Sequence, residues 1–220
     1  MVQMGAMKHY AIENNARVKA IAVIAMIALV LAVVLFDPTN KLISAAASAP
    51  SFAWLEHAGL INALEPMVFF ALIWALFDNV IWRIPPLKHW HHIPYVGGTW
   101  VGELKSSHED DDGNRVVMPM RMDIKQTFSK MSVHCSFEES SESYAVIAGI
   151  VDCDEANDEC TLEFSYRNKA IDESVVFDTD RDSSYSGFNT LRLIADKATG
   201  DYVTLRNVPT SGHIKLERVQ

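Results

Sequence analysis

Positive charge is in short supply. Lys and Arg number 19 against 28 Asp and Glu, a formal net charge of −9. Duplex nucleic acid is a poor partner for such a chain, because its affinity comes mainly from Lys and Arg on phosphates. Two or three well-placed Arg can still hold a small anion. Cysteine is scarcer. Cys135, Cys153 and Cys160 are odd in number and lack C-x-x-C spacing, so they offer no disulfide framework. In a cytoplasmic domain they stay reduced and serve as small, mostly buried apolar residues. Catalytic signatures are lacking too: there is no Walker loop, nucleophile elbow, H-E-x-x-H or G-x-G-x-x-G. The sequence therefore points to binding and not to an enzyme.

Two acidic stretches imitate a calcium loop and fail its test. Aligning Gly113 with the sixth loop position puts Pro119 where a bidentate Glu is required. Asp178, Asp180 and Asp182 alternate correctly, but Ser183 and Asn189 replace the Gly and the Glu. His89, His91 and His92 lack a fourth ligand at a recognisable spacing, so they predict no metal site.

What the chain has is a long apolar run at its start. Ala20–Phe36 carries no charge, and its seventeen residues reach roughly 26 Å as a helix, close to a bilayer core. Asp37-Pro38 is expected to stop it. A second stretch, Pro66–Trp82, holds Asp78 and Asn79 near its end; Pro66 suits a first helical turn, and Trp74 and Trp82 suit an interface. Lys8, Arg17 and Lys19 precede the first span and Arg83 and Lys88 follow the second, against Lys41 alone between them. That bias predicts both termini in the cytoplasm. Ala22, Ala25, Ala28 and Ala32 supply a small-residue face for helix association. Residues 1–88 read as a membrane domain with spans at about 20–36 and 66–82, ended by the stiff Pro85-Pro86.

From residue 89 the texture changes to β. Thr99–Ser106, Val116–Thr127, Lys130–Glu138, Tyr144–Asp152, Cys160–Arg167, Phe188–Ala195, Tyr202–Arg206 and His213–Val219 alternate or are β-branched and aromatic. Turn clusters separate them, among them EDDDGN, DCDEANDE and DKATGD. The pattern predicts an all-β domain over 89–220, a small antiparallel eight-stranded β-barrel. Lys169–Ser184 reads as a long acidic loop with one short strand at Val175–Phe177. Charges cancel over the first 87 residues, so the whole −9 falls on residues 88–220. Parity groups Leu162, Phe164, Tyr166 and Asn168 on one face. It sets Thr190 and Arg192 against Leu191 and Leu193, and Tyr202, Thr204 and Arg206 against Val203 and Leu205. Parity alone does not say which faces point inward.

The helical hairpin followed by Ile93-Pro94-Tyr95-Val96-Gly97-Gly98-Thr99-Trp100-Val101-Gly102 at the head of a small barrel resembles the Cap15 effectors of CBASS anti-phage systems. Tyr166-Arg167-Asn168, Tyr185-Ser186-Gly187 and the closing run from Gly200 to Leu216 extend the resemblance over nearly the whole chain. It implies a receptor that binds a cyclic dinucleotide as its activating ligand, with no other cofactor. It implies homo-oligomerisation and disruption of the bacterial inner membrane, causing abortive infection. Inner-membrane lipid and a cGAS-like nucleotidyltransferase would be its functional partners. On the matching strands, Arg192 and Arg206 suit phosphates, Tyr166 and Tyr202 suit base stacking, and Asn168, Thr190 and Thr204 suit polar contacts. A lipocalin-like carrier of an apolar ligand, lined by Met118, Met120 and Met122, is the competing reading; a filled barrel serving as a membrane adaptor is the third.

Overall fold

The computed structural model describes residues 7–12, 15–47, 59–110, 112–137, 141–154, 157–170 and 184–219. The strand expected at Val175–Phe177 lies outside them. The chain divides into two compact units, residues 15–91 and residues 1–14 with 92–220.

The first unit is helical. Helix α1 runs Ala16–Ala47 and α2 runs Gly59–Asn79. The expected stop at Asp37-Pro38 does not hold: Pro38 lies inside α1. Proline removes one intrahelical hydrogen bond, and a long apolar helix can carry that loss without ending. Pro66 likewise lies inside α2, which starts at Gly59. At the far end α2 stops at Asn79 and a 3-10 turn follows over Ile81–Arg83, so Trp82 is outside the helix. Trp82 is buried against His91, whose Nε2 lies 2.8 Å from the Trp82 carbonyl. Pro85-Pro86 opens a short helix α3, Pro85–His91, in place of a stiff linker. The first helical position tolerates proline because its N–H would be unpaired there anyway.

α1 packs along α2. Among the described residues its buried positions are Ala16, Ala20, Ile24, Ala28 and Ala32, one per turn and nearly all small. Small side chains let helix backbones approach closely. Ala22 and Ala25 are exposed instead. The stretch Ala16–Pro38 is long and apolar enough to cross a membrane; the apolar part of α2, Pro66–Asn79, is shorter.

The second unit is a closed eight-stranded antiparallel barrel. Its strands are β3 (Gly98–Glu109), β4 (Arg115–Gln126), β5 (Lys130–Phe137), β6 (Ser141–Asp154), β7 (Glu159–Ala170), β8 (Ser184–Ile194), β9 (Lys197–Leu205) and β10 (Ser211–Arg218). Each pairs with the next, and β10 returns to β3. All eight expected strands are present. DKATGD is mostly strand: the turn is Ala195-Asp196, and Gly200 lies within β9. A Cβ on Gly200 would fall 1.9 Å from the Thr190 carbonyl oxygen, so glycine is needed there for close strand approach, not for a turn.

One seam is incomplete. β5 and β6 pair only from His134–Phe137 to Ser141–Tyr144. Below that point two short strands fill the gap, β1 (Lys8–His9) on β5 and β2 (Ala11–Ile12), parallel, on β6. Tyr10 between them is 2% exposed and joins the barrel core. Gln126 donates to the Tyr10 hydroxyl at 3.2 Å and to the Pro94 carbonyl at 3.0 Å, and accepts from the Val96 N–H at 2.8 Å. One buried carboxamide thus ties together the segments that precede α1 and follow α3. Beside it, the Arg218 guanidinium lies over Trp100 and Tyr95. These contacts pack the lower end of the barrel.

Candidate functional site

Register stacks the inner faces of β6 to β10 in layers. At the upper end Ser143, Asn168 and Tyr185 lie opposite one another. Next come Ala145, Tyr166, Gly187 and Thr204, then Ala148, Phe164, Asn189, Tyr202 and Gly212 with Ser106 of β3. Below them Ile150, Leu162, Leu191, Ile214 and Leu104 form an aliphatic layer. Along β6 to β10 the interior is therefore polar and aromatic above and aliphatic below. That gradient explains the strand parities: the faces that turn inward carry leucine at one end and tyrosine, asparagine and threonine at the other.

Two glycines make room for the tyrosines. A Cβ on Gly187 would sit 2.3 Å from the tip of the Tyr166 ring, and one on Gly212 would sit 2.8 Å from the Tyr202 ring. The rings lie across bare backbone of the neighbouring strands. Most of the polar groups around them are paired. The Tyr202 hydroxyl donates to Ser106 Oγ at 2.9 Å, and Ser143 Oγ donates to Asn168 Oδ1 at 2.7 Å. Thr204 Oγ1 accepts from the Thr210 N–H at 2.8 Å. Asn189 is 4% exposed, and its Oδ1 has no hydrogen-bond partner.

Burial, reinforced by Tyr185 and Tyr202 and opposed by Arg206, raises the Tyr166 phenol well above its ordinary range. Burial, with Asp123 adding to it, pushes the Cys135 thiol up to about 12. Both are neutral near pH 7. Positive charge enters at the rim, where the Arg206 guanidinium stacks 3.6 Å from the Tyr185 ring centroid. A cation held on an aromatic face beside two further tyrosines can receive a phosphate and flanking planar groups.

The seven sequence candidates separate. Tyr166, Asn168, Tyr202 and Thr204 are buried inside the barrel, and Arg206 shares their parity just beyond the end of β9. Thr190 and Arg192 do not join them, because Leu191 and Leu193 occupy the inner face of β8. Arg192 lies on the outer wall, its Nη2 donating to Glu159 Oε2 at 2.7 Å. Tyr185, Asn189, Ser143 and Ser106 join the interior layers although none is among the seven. The available signal was parity: Tyr185 and Asn189 fall on the same face of β8 as Leu191, and a polar residue on an otherwise apolar face marks a change of environment. Of the cysteines, Cys135 and Cys160 are buried and Cys153 is exposed.

Comparison with curated proteins finds no match. The family model for the Cap15 cyclic dinucleotide receptor domain matches residues 91–218. Those bounds take in every barrel strand from β3 to β10 and every inner layer that carries the tyrosines, the asparagines and the Arg206 rim. With a match over more than half of the chain, the protein belongs to the Cap15 family, and its barrel is the cyclic dinucleotide receptor domain.

Proposed function

We propose that this chain is a CBASS effector whose barrel binds a cyclic dinucleotide at its upper end, through Arg206, Tyr166, Tyr185, Tyr202, Asn168 and Thr204. Binding drives homo-oligomerisation, and clustered α1 and α2 helices disrupt the bacterial inner membrane, causing abortive infection. The signal comes from a partner cGAS-like nucleotidyltransferase. α1 spans the bilayer and α2 returns through it, leaving both termini and the barrel in the cytoplasm, in line with the Lys and Arg bias of the flanking segments.

The observation that carries this reading is the Arg206–Tyr185 stack at the head of a polar, tyrosine-lined half-barrel within a receptor-domain match. A dinucleotide asks for cationic contact at phosphate and flat partners for its bases. A lipocalin-like carrier of an apolar ligand would gain nothing from the buried Asn168, Asn189 and Thr204. Substitution separates the site from the outer wall. Arg206→Ala should weaken cyclic dinucleotide binding by roughly ten- to a hundredfold, the weight of a charge-assisted hydrogen bond. Arg192→Ala should leave it unchanged. Titration calorimetry on the full chain in detergent measures both; loss in Arg192→Ala with none in Arg206→Ala would place the ligand elsewhere.

A further inference from the structure

We infer that Asn189 reads a base of the bound cyclic dinucleotide, an assignment that rests on the proposed binding reading and adds its selectivity residue. Along β6 to β10 Asn189 occupies the lowest polar layer, directly opposite Tyr202 and Phe164 and one layer below Tyr166. Beneath it Leu162 and Leu191 begin the aliphatic floor. A planar group entering from the Arg206 rim between the tyrosines would meet the Asn189 carboxamide as its last polar contact.

Asn189 differs from its polar neighbours in its hydrogen bonding. Ser143 and Asn168 satisfy each other, Tyr202 uses Ser106, and Thr204 uses Thr210. Asn189 Oδ1 is fully buried without a partner, and among the described residues no other side chain in the barrel interior carries such an atom. A buried acceptor left unpaired destabilises a fold, whereas an apolar residue of the same shape would not. Leucine fits the pattern of the strand, since Leu191 and Leu193 continue the same face. An asparagine in this position is therefore better matched to a ligand than to the empty barrel. Its carboxamide sets a donor beside an acceptor, and every nucleobase has an edge offering the complementary pair, in a geometry that differs from base to base. The flanking rings stack on any base; the carboxamide is what can discriminate among them.

The test uses the full chain in detergent and a panel of 3′,3′-cyclic dinucleotides covering A, G, C and U. Binding is measured by calorimetry for wild type, Asn189→Leu and Asn189→Asp, with thermal unfolding of each without ligand. The expected result for Asn189→Leu is a loss of about tenfold or more on the best wild-type ligand, a flatter ranking across the panel, and a ligand-free Tm equal to or above wild type. Asn189→Asp, which keeps only acceptors, should reorder the ranking toward bases that present donors. Unchanged affinity and ranking in Asn189→Leu would overturn the assignment while leaving the binding reading intact. So would a marked fall in its ligand-free Tm, which would show Asn189 to be a structural residue. Wild type that binds no member of the panel would overturn the binding reading, and this inference with it.

Discussion

Gly187 and Asp123 show how single residues set the barrel's shape and its response to pH. Gly187 faces Tyr166 on one side, and the Val203 carbonyl oxygen stands 2.5 Å from where a Cβ would be. Gly187→Ala should therefore displace the ring or the strand and cost about 1–3 kcal/mol, read as a lower denaturation midpoint. Asp123 belongs to the outer wall. Partial burial works against its charge, but hydrogen bonds from Arg121 and Thr99, with His134 nearby, outweigh it and hold the carboxyl below its ordinary range. A depressed folded-state pKa gives stability that is present above the unfolded value and lost as pH falls toward the folded one. Asp123→Asn should cost about 1 kcal/mol at pH 7, and the difference from wild type should start to shrink as pH drops below about 4 and be gone only below the folded-state value. A difference that persists unchanged at pH 3 would contradict this. Residue chemistry was partly legible in the sequence: the types suited to a nucleotide were present on β7, β8 and β9, but parity gives only two faces and not their sense. Arg192 failed to reach the interior because its strand spends its inner face on leucines, while on β9 the inner face went to Tyr202 and Thr204, leaving Val203 and Leu205 exposed.

Elements follow the same rule, that strong local patterns read well and borrowed ones do not. The eight barrel strands run eight residues or more and each was anticipated, although for β9 only Tyr202–Arg206 was read as strand while the strand starts at Lys197. β1 and β2 are two residues each, too short for any period, and exist only because β5 and β6 leave a gap for them. Proline misled in both directions. Pro38 and Pro66 sit within longer helices, and Pro85 begins one, so proline marked neither the end of α1, nor the start of α2, nor an extended linker. The seam gives its own prediction. Tyr10 buries a full aromatic side chain and hydrogen-bonds to the Phe128 carbonyl as well as to Gln126. Tyr10→Ala should cost about 3–5 kcal/mol in barrel stability. Urea unfolding followed by the fluorescence of buried Trp100 would check it; a shift below 1 kcal/mol would mean that the lower seam holds without its inserted strand.

At the scale of the whole molecule, the receptor domain and the apolar helices belong to separate compact units. The barrel carries the receptor chemistry and the family match; α1 carries the length and apolarity to cross a bilayer. Within the barrel unit, Tyr10, Pro94 and Val96 converge on Gln126 at the lower end, while the proposed ligand site lies at the upper end. Weak helix contacts between copies can become effective when ligand-bound barrels gather them, because local concentration then replaces intrinsic affinity. In the proposed function a cyclic dinucleotide switches the assembly state of the full chain. Its most direct test is the mass of the detergent-solubilised protein by light scattering, with and without each member of a cyclic dinucleotide panel. At least one member should raise the mass several-fold, its linear counterpart should not, and Arg206→Ala should shift the response to higher ligand concentration. A mass unchanged by every member of the panel would contradict it.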